Sequence, residues 1–411
     1  MKKKDNIKPN GLAYFIYYCY SKITAFLRGY KIDNSVLKEQ VKKSKQENKG
    51  FMVVYNHSGF YDHVAVTAGM SGYKTNYVLA KYFTYQKVIY TVTKMVKSIY
   101  KDQFKPDLQA IRKIKRAIDR PGIIAIAPAG QISVDGGDQF MSFGIVKLVR
   151  LCKCDILGYK IYGMHFAKPK WAKTNRKCQV SCEFVKLIDK NEIDTLSDQE
   201  IYNRMLSIGS LNLQDYQEKT MSVIKGKDLA SGLEGELYMC PKCKQVHKNY
   251  SVGDKLICSV CGNTVVYNKY GFLEVQEGSV GYKREDEWYK FQRDEIKKQL
   301  LENDDFHLEG EFSLHRNVRK ENVLEEYAVG TVHLTKERLY FEGIADGKPY
   351  TKEFVLKSIF QFPHTTGVSF FIPDDEGPFK FFPTKQNTLV NHFVQTIEAM
   401  REIEEAKGKV F

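Results

Sequence analysis

A histidine and an aspartate five positions apart stand where an apolar run ends: Val53-Val54-Tyr55-Asn56-His57-Ser58-Gly59-Phe60-Tyr61-Asp62. An imidazole with one ring nitrogen held by a carboxylate can take a proton from a hydroxyl through the other. A strand running into a Gly-containing turn exposes such an imidazole at a sheet edge, and the spacing is enough to bring the carboxylate back to it. A second constellation is metal chemistry. Cys240-Pro241-Lys242-Cys243 and Cys258-Ser259-Val260-Cys261-Gly262 are two Cys-x-x-Cys knuckles. Four thiolates so spaced make a closed tetrahedral site for Zn2+ of the ribbon type, with no open position for substrate, so the metal is expected to be structural. Two disulfides or an iron centre are the alternatives. His247 is close in sequence, but four cysteines already complete the site.

The elements that must position these residues alternate. A second apolar strand, Gly122 to Pro128, breaks into Ala129-Gly130-Gln131-Ile132-Ser133 and the loop Asp135-Gly136-Gly137. Before it, Pro106 opens a helix in which Leu108, Ile111, Ile114 and Ile118 recur at near-helical spacing, and Pro121-Gly122 stops it. Ser197-Asp198-Gln199-Glu200 is a capping box that starts a helix through Met205. Strand and helix in turn predict an α/β domain with a largely parallel sheet flanked by helices, whose sites lie in the turns after its strands.

Taken together, these residues resemble the glycerolipid acyltransferase family, whose best-known members are the 1-acyl-sn-glycerol-3-phosphate acyltransferases. The family's Asn-His-x-x-x-x-Asp motif is met by Asn56, His57 and Asp62. Its Pro-Glu-Gly-Thr turn is met by Pro128, Ala129, Gly130 and Gln131, with alanine in place of the glutamate. Its Gly-x-x-Phe-x-x-Arg segment is matched by Lys97 to Gln103, where Lys97 and Lys101 keep positive charge while the arginine is absent. Ile156 to Gly163 fits the last motif, and the resemblance spans roughly residues 11 to 225. It implies O-acylation. His57 would deprotonate an acceptor hydroxyl, Asp62 would stabilise the imidazolium, and Asn56 would brace the turn. Pro128, Gly130 and Gln131 would bind substrate, and the two lysines would face the acceptor's phosphate. The implied acceptor is a lysophospholipid, foremost 1-acyl-sn-glycerol 3-phosphate, and the implied donor is acyl-CoA or acyl carrier protein.

Charge is unevenly spread over the 411 residues: the net charge is +14, yet residues 1 to 190 hold 35 Lys+Arg against 13 Asp+Glu. A basic front suits polyanionic partners, which include anionic membrane lipid, phosphorylated substrate and nucleic acid. Lys2-Lys3-Lys4 precedes an apolar, tyrosine-rich run from Gly11 to Tyr20, continued by Ile23, Ala25, Phe26 and Leu27. The run falls short of the roughly 20 residues that a spanning helix needs. It suits a helix over residues 1–30 that lies in the headgroup region. With no signal sequence, the expected location is the cytoplasmic face of the membrane, peripheral or monotopic. Pro169-Lys170-Trp171 is either a further basic, aromatic contact with phosphate or membrane, or a packed tryptophan.

The expected organisation is therefore an acyltransferase domain over 31–225, a zinc ribbon over 226–275, a charged helical connector over 276–304 and a last domain over 305–411. That last segment offers short strands at Gly330 to Thr335, Arg338 to Phe341, Phe354 to Leu356, Ile359 to Phe362, Val368 to Ile372 and Phe379 to Phe382. A helix from about Thr384 to Ala406 closes it. It resembles the pleckstrin-homology-like or GRAM family, which implies a lipid headgroup or protein partner. Nucleic acid is disfavoured, because the ribbon is only modestly basic and its aromatics read as strand and core residues. The alternative to an enzyme is a membrane-associated scaffold on the same fold.

Overall fold

The computed structural model describes residues 7–103, 107–317, 323–359, 361–374 and 376–410. The chain divides into two compact units. The first comprises Met1–Ser133, Gly137–Lys168 and Cys178–Lys219, and the second Val134–Gly136, Pro169–Lys177 and Thr220–Phe411. Lys2, Lys3, Lys4 and Pro106 lie outside the described residues.

The first unit is built on strands β1 (Lys31–Asp33), β2 (Phe51–Tyr55), β3 (Thr75–Ala80), β4 (Ile99–Lys101), β5 (Ile123–Ile126) and β6 (Ile156–Tyr162). After β7 (Arg176–Lys177), which belongs to the second unit, β8 (Ser181–Ile188) completes the sheet. Its order is β1-β8-β6-β2-β5-β3-β4. Strands β2 to β6 run parallel, and β8 is antiparallel to β6. The helices are α1 (Gly11–Leu27), α2 (Ser35–Gln46), α3 (Asp62–Gly69), α4 (Lys87–Met95), α5 (Leu108–Ile118), α6 (Gly144–Cys152), α7 (Met164–Ala167), α8 (Asp198–Gly209) and α9 (Leu213–Thr220).

Every residue of β2 and β5 is buried, as expected for central parallel strands covered on both faces. On one face, Met52, Val54, Ile124, Ile126 and Ile156 pack against Ile114 and Ile118 of α5, Val146 and Val149 of α6, and Met205 and Ile208 of α8. Each such side chain contributes roughly 1.5–3 kcal/mol on burial. On the other face α3 is seated by the Tyr159 hydroxyl, which donates to the Ala65 carbonyl at 2.9 Å. The α5 helix is capped by Asp107, whose carboxylate accepts from the Ala110 amide. The capping box of α8 is formed by Ser197 and Glu200, and the helix runs four residues beyond Met205.

The second unit contains β9 (Lys225–Gly226), paired with β7, and an antiparallel four-stranded sheet, β10 (Asn249–Val252), β11 (Lys255–Cys258), β12 (Thr264–Tyr267) and β13 (Leu273–Val275). Helix α10 (Glu285–Glu302) follows. Then come β14 (His307–Arg316), β15 (Glu325–Thr335), β16 (Leu339–Ala345), β17 (Lys348–Phe354), β18 (His364–Thr365), β19 (Ser369–Asp374) and β20 (Gly377–Pro383). They form an antiparallel sheet ordered β17-β16-β15-β14-β20-β19-β18. Its core is aromatic: Phe312 meets Phe370, Phe381 and Phe393 at centroid distances of 5.2–6.2 Å, and Phe393 comes from the last helix, α11 (Leu389–Ala406). Ile359, Gln361 and Phe362 lie outside any strand, contrary to the pattern read there, and Phe360 is outside the described residues. Phe362 is instead a core residue stacked on Phe370 at 4.9 Å. Its apolar character reflected burial rather than sheet pairing.

Candidate active site and metal centre

Because β2, β3, β4, β5 and β6 are parallel, their carboxyl ends share one edge of the sheet. His57 follows β2 at that edge, and Asp62 opens α3 five residues later. The imidazole Nδ1 and Asp62 Oδ2 are 2.7 Å apart. The same oxygen accepts from the Ser58 amide at 2.7 Å and the Gly59 amide at 3.0 Å, so the turn backbone fixes the carboxylate. Asp62 is 1 % exposed in its side chain and His57 is 29 % exposed. With Nδ1 engaged, Nε2 is the nitrogen left to meet a substrate. Beneath the pair, burial pushes the Tyr55 phenol well above its ordinary range, and the Asp62 charge adds to it, so Tyr55 stays protonated.

Asn56 acts as a clamp between strands. Its Nδ2 donates to the Ile161 carbonyl at 2.9 Å, and its Oδ1 accepts from the Ile161 amide at 2.8 Å, which closes a two-bond ring onto β6. Gly59 passes close to α7, where an added Cβ would stand 2.6 Å from Met164 Cγ and 2.8 Å from the Met164 carbonyl oxygen. The turn therefore needs the missing side chain.

Pro128, Ala129, Gly130 and Gln131 follow β5 at the same edge, and the turn is tied to the histidine: the Ser133 amide donates to the His57 carbonyl at 2.8 Å. Gly130 takes a positive φ of 75°, and its carbonyl accepts from Gln103 Nε2 at 2.7 Å. Gln139 Nε2 donates to the Gln131 carbonyl at 2.9 Å, while the buried Gln131 Oε1 has no hydrogen-bond partner among the described residues. Lys101 ends β4 at this edge, and burial lowers its ammonium pKa against the opposing pull of Asp107 and Asp102. Lys97 precedes β4, at the opposite end of the strand, where its carbonyl accepts from Asn76 Nδ2 at 2.8 Å. Gln103 and Ser133 did not stand out in the sequence, because each acts through a long-range bond to a turn, while Gln139 reaches back eight residues to Gln131. Trp171 is packed within the second unit, with its Nε1 donating to Glu285 Oε2 at 2.9 Å and the Arg176 guanidinium 4.8 Å above the ring.

The sulfurs of Cys240, Cys243, Cys258 and Cys261 all lie within 4.8 Å of one another. Cys240 and Cys261 are 3.7 Å apart and Cys243 and Cys258 3.8 Å apart, far beyond disulfide bonding. Four sulfurs each about 2.3 Å from a central zinc in a tetrahedron stand roughly 3.8 Å from one another. The donor set and its spacing are thus compatible with a zinc site. Local backbone bonds shape each knuckle: the Lys244 amide donates to the Cys240 carbonyl at 2.8 Å, and the Gly262 amide to the Cys258 carbonyl at 3.0 Å.

No protein-family model and no curated protein matches the chain. Among solved structures it is similar to the 1-acyl-sn-glycerophosphate (LPA) acyltransferase PlsC from Thermotoga maritima, at 15 % identity and a TM-score of 0.38, over 50 % of this chain and 79 % of that one.

Proposed function

We propose that the chain is an acyltransferase that moves a fatty acyl group from a thioester to the hydroxyl of a lysophospholipid. The observation that carries this reading is the 2.7 Å contact between His57 Nδ1 and a buried Asp62, at the carboxyl edge of a parallel sheet, with Nε2 left open. Nε2 takes the proton as the acceptor oxygen attacks the thioester carbonyl. The tetrahedral intermediate collapses by breaking the carbon–sulfur bond, and the imidazolium returns the proton to the departing thiolate. Asp62 stabilises the imidazolium, and Asn56 keeps the turn in register with β6. Lys101 and the Pro128–Gln131 turn lie at the same edge, which supports their role in holding substrate. The first acceptor to consider is 1-acyl-sn-glycerol 3-phosphate, with acyl-CoA or acyl carrier protein as donor.

Peripheral attachment to a membrane surface belongs to the same proposal. Helix α1 exposes Leu12, Phe15, Ile16, Ile23, Phe26 and Leu27, a stripe at helical spacing that water does not favour. Among the described residues no helix is long and apolar enough to cross a membrane. Zn2+ is the ion proposed for the four cysteines, in a structural role. The antiparallel sheet closed by α11 supports a pleckstrin-homology-like reading of the last segment, with a protein as its partner.

The test is acyl transfer from labelled acyl-CoA and acyl carrier protein to a panel of lysolipids, with the intact chain beside His57→Ala. Product from the intact chain alone supports the reading, and the preferred headgroup names the acceptor. Absence of transfer to every acceptor favours the scaffold.

A further inference from the structure

The solvent face of the C-terminal sheet carries a second group of metal-ligating atoms, remote in sequence from the four cysteines. His307 and Glu309 are two residues apart on β14 and so project from the same face. The register of β14 against β15 sets Glu309 directly opposite His333, and that of β15 against β16 sets His333 opposite Tyr340. His307 Nε2 is 3.1 Å from His333 Nδ1, which is 3.4 Å from Glu309 Oε2. Glu309 Oε2 is 3.9 Å from His307 Nε2. Nitrogen and oxygen ligands about 2.0–2.1 Å from one ion stand roughly 3.0 Å apart at a right angle and roughly 3.4 Å apart in a tetrahedron. The three observed separations run from just above the right-angle value to about half an ångström beyond the tetrahedral one.

The ring of His333 is held as well as placed. Tyr340 stacks on it at 4.7 Å and 16°, and the His307 ring lies at 5.3 Å and 13°. All three ligands stand on paired strands rather than on loops, so little ordering is needed to gather them. Two imidazoles and one carboxylate suit Zn2+, Ni2+ or Cu2+ better than Ca2+ or Mg2+, which take oxygen ligands.

We propose that His307, Glu309 and His333 form a site for a divalent transition-metal ion of the zinc class, with one or more coordination positions open to solvent. The ion would bind His307 through Nε2, with the ring hydrogen on Nδ1, and His333 through Nδ1. Because three protein ligands leave the ion incompletely enclosed, binding here is weaker than at four cysteines, and water or an anionic group of a partner can complete it. The same three residues without a metal would share an N–H···N hydrogen bond between the rings, and the two cases differ in what they bind.

The full chain, its cysteine site loaded with zinc, is equilibrated against micromolar free Zn2+ and its metal content measured. The expected result is two equivalents in the intact chain and one in His307→Ala and in His333→Ala, with Glu309→Gln weakening the second site at least severalfold. Co2+ in place of Zn2+ gives a second readout, since the second equivalent adds nitrogen- and oxygen-ligand absorption without further sulfur charge transfer. His315→Ala, on the same strand outside the group, is expected to retain both equivalents. A single equivalent in the intact chain, or a second equivalent that survives both histidine substitutions, overturns the proposal. Glu309→Gln keeps the shape of the face and so separates loss of a ligand from loss of the fold.

Discussion

The turn that carries His57 and the knuckles that carry the four cysteines solve opposite problems with similar local means. In the turn, one carboxylate oxygen is saturated by three contacts, the other has no hydrogen-bond partner among the described residues, and the imidazole keeps one nitrogen open. In the knuckles, four sulfurs converge to within 4.8 Å of one another. On the roles proposed for them, the imidazole must remain incompletely satisfied on a rigid support, whereas the four sulfurs must be saturated. The two regions should therefore respond differently to the same kind of damage.

The largest expected effect is on the saturated side. Structural zinc sites release on the order of 10–16 kcal/mol on binding, so with the proposed zinc at the four cysteines, chelation should unfold the segment that carries them. Hydrogen exchange should show protection lost over β10 to β13, and Cys258→Ala should reproduce the loss without a chelator. If protection persists after zinc is stripped, the ribbon stands on its own core and the contrast is broken. Next is His57→Ala, expected to lower kcat about 10²–10⁴-fold. Its ring is partly exposed, so the melting temperature should barely move. Asp62→Asn should lower kcat by a similar factor and in addition cost about 1–3 kcal/mol of stability, because two backbone amides lose a charged acceptor. Urea melts beside kinetics would separate the two losses. Gly59→Ala sharpens the point that the turn is a packed object. Its Cβ would press on Met164, for an expected cost of about 1–3 kcal/mol and a fall in kcat as His57 shifts.

The sequence made the local parts of this picture legible. The strands β2 and β5 were visible because burial on both faces writes a continuous apolar run, and the His57–Asp62 pair and the cysteine knuckles were visible because each closes over a few residues. The capping box at Ser197 was visible for the same reason. Contacts set by topology were not. Nothing in the order of residues says that Ser133 reaches the His57 carbonyl, or that Gln103 reaches Gly130, because the strand order decides which turns meet. The group of His307, Glu309 and His333 was equally hidden, since it depends on the register of β14 against β15. Helix α1 falls between the two cases. Its periodic apolar stripe could be read, but whether that stripe is covered could not.

The smallest expected effect comes from a second contrast, between the open histidine and two enclosed ones. His247 Nε2 is 3.1 Å from His392 Nδ1, and His247 Nδ1 is 2.7 Å from the Thr388 hydroxyl. Burial, and after it the nearby Lys248 charge, lowers the His247 pKa from the ordinary 6.5 to about 4. Burial, and after it His247, lowers that of His392 to about 3. In the unfolded chain both rings protonate as pH falls through 6.5, while in the folded chain they stay neutral until about 4 and about 3. The unfolded state thus binds more protons in this window, and the stability these rings contribute is complete above 6.5 and lost as pH falls below it. The slope is at most about 1.4 kcal/mol per pH unit for each ring. Trp171 and Trp288 are the two tryptophans of the chain, and both lie in the second unit, so indole fluorescence reports its unfolding alone. The urea midpoint followed in this way should fall between pH 7 and pH 5. His392→Gln should flatten that dependence in part and leave the shares of His247 and of His364, whose pKa burial also lowers. A pH dependence left unchanged by His392→Gln would mean that this ring accepts protons as readily inside the fold as outside it, and the distinction between enclosed and open histidines would fail.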